Sequence, residues 1–427
     1  MNTRGHVVGL AVGRGTGGEV AAVFERVLGR LARGYGRDVG VERAPRTYHS
    51  YVSLKGSGIG ETRRLTHEDA DHYEEFVRAR AAAGTGVVFR TAINAQTLYL
   101  VRQRLQAVKV DTLDAAGARL LLVRDQAQGF YTGDNEHLPG LVRRVTEFSR
   151  ELTEKILHHA VRRAWQEWPG EGPARVVMAY KFHLLDGVLD AWAADFAERH
   201  GVDVRIFQPD TVNRNLITHG PDDRTVLVAG NEWADIMHVV LLDRFGSGRQ
   251  EDHCSRNVYL HPDARGLVEY QTVHGSADDL EGRGVVNPVA TVRAAAAIAE
   301  RHADCDGAVT AVERALAHVR ARGVRTPDLG GRHSTEEVVD ALLDALELPD
   351  ARAAPASGSE AGVVAGFVAG STRRPSAGTA SEAGAPGAGT APAPGAVPGP
   401  GAVRGPGAVP GARQGGSLAG TAPDAEP

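Results

Sequence analysis

A loop at residues 273–288 carries residues suited to holding a nucleotide. It reads Val273-His274-Gly275-Ser276-Ala277-Asp278-Asp279-Leu280-Glu281-Gly282 and closes at Val286-Asn287-Pro288. Small residues let a backbone approach a flat ligand closely. Asp279 can accept two hydrogen bonds from a ribose diol, and its charge would repel a 2′-phosphate, which favours NAD over NADP. An ordinary glycine-containing turn before the Ala-rich helix of Val289 to Ala299 reads the same residues equally well.

Lysine usage is a second chemical signal. Lysine and arginine together number 48, yet lysine occurs only at Lys55, Lys109, Lys155 and Lys181. Lysine can lose its proton near neutral pH when its surroundings lower the pKa, whereas arginine effectively cannot. Each lysine is therefore a candidate for proton chemistry. A third signal, Gly13-Arg14-Gly15-Thr16-Gly17-Gly18 with Glu42 downstream, satisfies the dinucleotide fingerprint G-x-G-x-x-G, but a lone match is weak.

These pieces fall in an order that resembles the isocitrate and 3-isopropylmalate dehydrogenase family, the β-decarboxylating dehydrogenases. The loop at His274 resembles that family's adenosine loop, H-G-S-A-P-D-I-A-G…A-N-P. Val12 to Val20 resembles its G-D-G-I-G-P-E-V start, which displaces the Rossmann reading. Thr326-Pro327-Asp328-Leu329-Gly330-Gly331 with Ser334-Thr335-Glu336-Glu337 resembles its ending. The resemblance covers nearly all of residues 5–345. It implies NAD bound by His274, Gly275, Ser276, Ala277, Asp279, Leu280 and Asn287.

The substrate half is looser. Val123-Arg124-Asp125-Gln126-Ala127-Gln128-Gly129-Phe130-Tyr131 resembles V-R-E-N-T-E-G-x-Y, and Val101-Arg102-Gln103-Arg104-Leu105 resembles L-R-K-E-L. The resemblance implies that Arg102 and Arg124 grip substrate carboxylates, for which the guanidinium fork is suited. It implies that Tyr131 helps protonate the product carbon. The family's N-L-R-P has no clean counterpart, and Lys109 is the nearest substitute. Lys181, closing Arg175 to Tyr180, stands where the family's catalytic lysine is expected, although an ungapped alignment would put Met178 there. Asp210 and Asp235 resemble two of the metal-holding aspartates, for Mg²⁺ or Mn²⁺. Val239 replaces a third, which His238 or Glu232 would have to compensate.

Together these imply NAD- and metal-dependent oxidative decarboxylation of a 2-hydroxy acid with a β-carboxylate. The substrate would be isocitrate-like, isopropylmalate-like or a specialised malate such as a phosphonomethyl derivative. Because the family borrows Lys181 and Asp210 equivalents across subunits, a homodimer with shared sites is implied. The departures at Val239 and Lys109 leave a second reading, a non-catalytic nucleotide-binding subunit of the same fold.

The elements that would position these residues alternate. Val7–Val12, Gly86–Phe89, Arg119–Val123, Arg175–Ala179, Val202–Phe207 and Val226–Val228 read as strands. Gly18–Tyr35, Gly140–Trp168 and Leu185–His200 read as helices. This is α/β architecture. The resemblance makes it an isocitrate/isopropylmalate dehydrogenase-like fold, with a large part (about 1–100 and 250–350) and a small part (about 101–249) sharing a mixed sheet. From about residue 353 to 427, Ala, Gly and Pro dominate, which predicts a disordered tail. A net charge of −5 implies no general affinity for nucleic acid or membrane surfaces. Two distant cysteines, Cys254 and Cys305, with no signal or transmembrane run, suit a reducing cytoplasm. His67 and His72, His158-His159 and His253 read as solvent or packing residues.

Overall fold

The computed structural model describes residues 6–245, 254–272 and 275–349. The expected tail lies outside them, as do His253 and His274. In chain order the first half runs β1 (His6–Gly13), α1 (Gly17–Gly34), β2 (Val39–Tyr48), α2 (Tyr51–Leu54), α3 (Ile59–Ala82), β3 (Val87–Arg90), α4 (Ala95–Arg104), β4 (Ala107–Ala115), β5 (Ala118–Asp125), β6 (Asp134–Leu138) and β7 (Leu141–Val145). The second half runs α5 (Arg150–Glu167), β8 (Arg175–Ala179), α6 (Val188–His200), β9 (Val204–Phe207), α7 (Pro209–His219), β10 (Thr225–Gly230), α8 (Asn231–Arg244), β11 (Cys254–Tyr259), β12 (Val268–Thr272), α9 (Val289–His302), α10 (Ala308–Ala321) and α11 (Thr335–Asp344).

Ten strands form one mixed sheet in the order β2-β1-β3-β12-β11-β4-β5-β10-β8-β9. Strands β2, β1, β3 and β12 are mutually parallel, as are β5, β10, β8 and β9. Between these blocks, β11 and β4 each run antiparallel to both neighbours. β3 and β10 are buried along their whole length, as parallel strands covered on both faces should be.

Separate cores serve the two blocks. In the first, α1 presents Val20, Phe24, Val27 and Leu31 on one buried face, and Phe24 stacks on Phe89 with centroids 4.1 Å apart. The small Ala294, Ala295, Ala296 and Ala299 of α9 pack in the same core. In the second, α5 and α6 place Ile156, Leu157 and Phe196 against Val176, Met178 and Val228.

Two helix expectations need correction. Residues 141–145 are not helical; they pair with β6 as a hairpin outside the main sheet. Gly140 turns the chain at φ +68°, and the valine-rich Leu141–Val145 suits a strand. The helix begins only at Arg150, where the Ser149 hydroxyl accepts from the Leu152 N–H. Likewise α6 starts at Val188, because Asp186 and Gly187 adopt left-handed backbone. Among the described residues no helix is long and apolar enough to cross a membrane.

Candidate functional site

A cavity of about 320 Å³ opens where the two blocks of the sheet meet. β3 contributes Arg90, α4 Arg102, β4 Lys109, β5 Arg124 and α8 Asp235, while the loop after β12 contributes Gly275 and Ser276. Six expected residues of the substrate, metal and cofactor sets, Gly275 among them, thus share one cavity.

The four cations are almost fully buried, with 4, 6, 2 and 5 % exposure for Arg90, Arg102, Lys109 and Arg124. Burying charge is costly unless it is paired and hydrogen-bonded. Arg90 donates from Nε to Glu269 Oε1 at 2.8 Å and from Nη1 to the Thr91 carbonyl at 3.2 Å. Glu269 also accepts from the Tyr73 and Tyr259 hydroxyls at 2.5 Å each and from Asn257 Nδ2 at 2.6 Å. Burial alone would raise the Glu269 pKa, but Arg90, Arg102 and the tyrosine hydroxyls outweigh it and bring it down to about 2. Arg102 donates to Gln271 Oε1 at 3.0 Å and lies over the Tyr99 ring. Arg124 donates to Asp235.

Lys109 sits 3.7 Å from Asp111. Burial, with Arg124 and Arg102 adding to it, pushes its pKa down to about 8 despite Asp111. Several buried donors lack partners: Arg124 Nε and Nη2, and Arg102 Nε. Each such donor costs ~1–3 kcal/mol if left unpaired. The cavity is therefore built to receive an anion.

The loop half adjoins this cavity. The Ser276 carbonyl accepts from both the N–H and the hydroxyl of Thr16, each at 2.9 Å. Gly15 is required here: its φ is +71°, and a Cβ would lie 2.5 Å from the Ser276 oxygen. The glycine loop after β1 thus cradles the second loop. Asp278 accepts from the Ser50 hydroxyl at 2.6 Å, whereas Asp279 is exposed. Asn287 donates to Asp328 at 3.0 Å and accepts from the Val289 N–H, locking the end of the loop to the Thr326–Gly331 segment. Glu42, the acid of the Rossmann reading, instead pairs with Arg80.

The remaining expected residues do not line the cavity. Tyr131 packs on Tyr99 with centroids 4.6 Å apart; burial, Tyr99 and Asp235 raise its pKa. Lys181 donates to Asp210 at 2.7 Å and to Gln208 at 3.2 Å, and lies over Trp233. Asp210 therefore meets Lys181 and not Asp235. Hydrogen bonding from Lys181 lowers the Asp210 pKa.

Glu232 lies one turn before Asp235 on α8, with its Oε2 buried and unpartnered. Burial and Asp235 raise its pKa. Two adjacent carboxylates, one with an orphaned oxygen, fit part of a hard divalent-cation site. His238 instead lines a different cavity, so of the two compensating candidates only Glu232 is favourably placed. Among the described residues, no group of three His, Cys, Asp or Glu side chains forms a complete cage.

Arg90 and its Glu269 support were missed at the level of sequence. The available signal was a charged residue closing the apolar run Gly86–Phe89, at the carboxyl end of a strand where α/β sheets place ligands.

Comparisons with known proteins agree with this architecture. The family model described as isocitrate/isopropylmalate dehydrogenase matches residues 49–342. A 3-isopropylmalate dehydrogenase of Lactococcus lactis subsp. lactis is 26% identical over 228 residues, covering 52% of this chain and 62% of the relative. A probable tartrate dehydrogenase/decarboxylase of Agrobacterium vitis is 34% identical over 190 residues, covering 40% of this chain and 52% of the relative. The chain thus spans only about half to two thirds of the length of these relatives. Isocitrate dehydrogenase from Methylococcus capsulatus shares the fold, with a TM-score of 0.59 and 18% identity over 80% of this chain and 99% of that one.

Proposed function

Because the chain belongs to the isocitrate/isopropylmalate dehydrogenase family, a family with β-decarboxylating dehydrogenases among its members, we propose a specific reaction for it. It is the NAD-dependent, divalent-metal-dependent oxidative decarboxylation of a 2-hydroxy acid with a β-carboxylate. The observation that carries this reading is the continuity of one buried cationic cavity with the loop at Gly275 and Ser276.

Arg102, Arg124 and Lys109 hold the two carboxylates of a malate core, filling the donors that now lack partners. Arg90 supplies a fourth buried cation, held in place by Glu269. Three carboxylate-type groups on the substrate would use this charge better than an alkyl arm. Asp279 receives the ribose hydroxyls of NAD. Asp235 with Glu232, joined by Asp210 from a second copy, would hold Mg²⁺ or Mn²⁺, which would supply Lewis-acid polarisation of the substrate oxygen. Lys181, also from a second copy, takes the hydroxyl proton as hydride leaves. Tyr131, kept protonated by its raised pKa, donates to the carbon that loses CO₂.

A homodimer is the minimal unit in this account, since neither Lys181 nor Asp210 lines its own chain's cavity. The hairpin β6–β7 suits a subunit contact: Leu141, Val142 and Val145 stand more than half exposed, at 53, 57 and 56 %. The free thiols Cys254 and Cys305 suit a reducing cytoplasm. The test is turnover across malates with anionic or alkyl third substituents, using NAD or NADP and Mg²⁺ or Mn²⁺. The account expects NAD reduction with CO₂ release, best with a third anionic group. Preferred turnover of 3-isopropylmalate would refute the role given to Arg90.

A further inference from the structure

A second, larger cavity of about 670 Å³ lies between β4, β11, β12, α9 and α10 and shares no lining residue with the first. Its volume suits a small-molecule ligand. Five arginines line it, against Asp111, Glu167 and Glu313.

All three acids already have basic partners. Glu313 holds Arg293 in a two-pronged pair at 2.6 and 2.9 Å. Glu167 pairs with Arg163, and Asp111 faces Lys109. Among the described residues, no carboxylate pairs with Arg256, Arg301 or Arg325. Arg256 rises half-buried from β11 in the middle of the wall. Burial and the neighbouring Arg301 lower its pKa, against the opposing pull of Tyr270 and Glu167. Arg301 acts on the Tyr270 hydroxyl, opposing the rise that burial gives its pKa.

We infer that this rear cavity binds a small multivalent anion, with Arg256 on the floor and Arg301 and Arg325 at the rim. The shared chemistry is two or more anionic oxygens spaced for planar guanidinium forks, as in a polyphosphate or a polycarboxylate. The inference is independent of the reaction proposed for the first cavity.

The test is calorimetric titration of the full chain with inorganic tripolyphosphate and, separately, with propane-1,2,3-tricarboxylate. Arg124→Gln serves as the control that disables the first cavity. The account expects binding of at least one probe, retained in Arg124→Gln and weakened at least ~10-fold in Arg256→Gln/Arg301→Gln. The stronger probe identifies the anion class. Arg301 is exposed on α9, so Arg301→Gln alone provides a folded variant that must also bind more weakly. Amide exchange should slow in β11 and α9 when the probe is bound. Undiminished binding in both arginine variants, binding lost in Arg124→Gln, or no binding of either probe would overturn the inference.

Discussion

In the cavity, Arg90, Arg102, Lys109 and Arg124 are nearly sealed from water, and several of their donors await an anion. At the Lys181 corner the side chains of Lys181 and Asp210 are 31 and 66 % exposed and satisfy each other. The first region has met the cost of desolvating its charges within one chain, through Glu269, Gln271 and Asp235. The second has met none of it and gains little from its ion pair. Preorganised charge of the first kind suits substrate recognition. An open, accessible lysine suits a role completed by another surface. The proposed site, assembled from two chains, would account for both conditions.

The comparison can be broken by substitutions that should affect one region alone. The largest effect is expected from Lys181→Met: a loss of ~10²–10⁴-fold in kcat, with thermal melting nearly unchanged because the pair is exposed. A large fall in melting temperature would make the lysine structural instead.

Next is Glu269→Gln, which leaves Arg90 buried without its counter-charge. We expect a loss of ~3–5 kcal/mol in denaturant unfolding, together with a raised KM. The pH dependence has a defined sign. The Glu269 pKa is about 2 when folded, below the ordinary 4.5, so its contribution is complete above about 4.5 and is lost as pH falls toward 2. Wild type should therefore lose more stability than Glu269→Gln across that interval. Equal acid limbs would remove Glu269 as the support of Arg90.

A smaller effect concerns Lys109, whose pKa is lowered to about 8. Its positive charge is present below that pH and lost above it. KM for an anionic substrate should rise by up to ~10-fold per pH unit above 8, and Lys109→Arg should flatten this limb. The same rise in the arginine variant would assign it to another group. The smallest change is expected from Asp279→Ser, which should raise KM for NAD about 10-fold and narrow the preference over NADP. An unaltered cofactor preference would place discrimination elsewhere.

The same contrast explains how much was legible in the sequence. Gly15 sits where close backbone approach demands a small residue, against the Ser276 carbonyl, whereas a Cβ at Gly275 would meet nothing among the described residues. Lysine scarcity pointed to Lys109, which lines the cavity, and equally to Lys181, which does not. It did not separate them from Lys155, which simply pairs with Glu151 on the surface. Arg90 was not legible as a site residue because its partner lies 179 positions away on a neighbouring strand, and no local pattern encodes that pairing. The second hairpin strand, 141–145, was misread as the start of the helix expected from Gly140; Gly140 and the Ser149 cap decided the matter. Val239 marked a departure from the family's metal motif, but only packing separated Glu232, beside Asp235, from His238, in the rear cavity.

The central claim is that the cavity of one chain is completed by Lys181 of another. It is tested by mixing two inactive variants, Lys181→Met and Arg124→Gln, after dissociation and reassembly at equal concentration. In a shared-site dimer, half of the sites in each hybrid unite an intact cavity with an intact lysine. Activity should recover to about a quarter of the wild-type value. If the mixture stays as inactive as its two components although hybrids form, Lys181 acts within its own chain and the account is wrong.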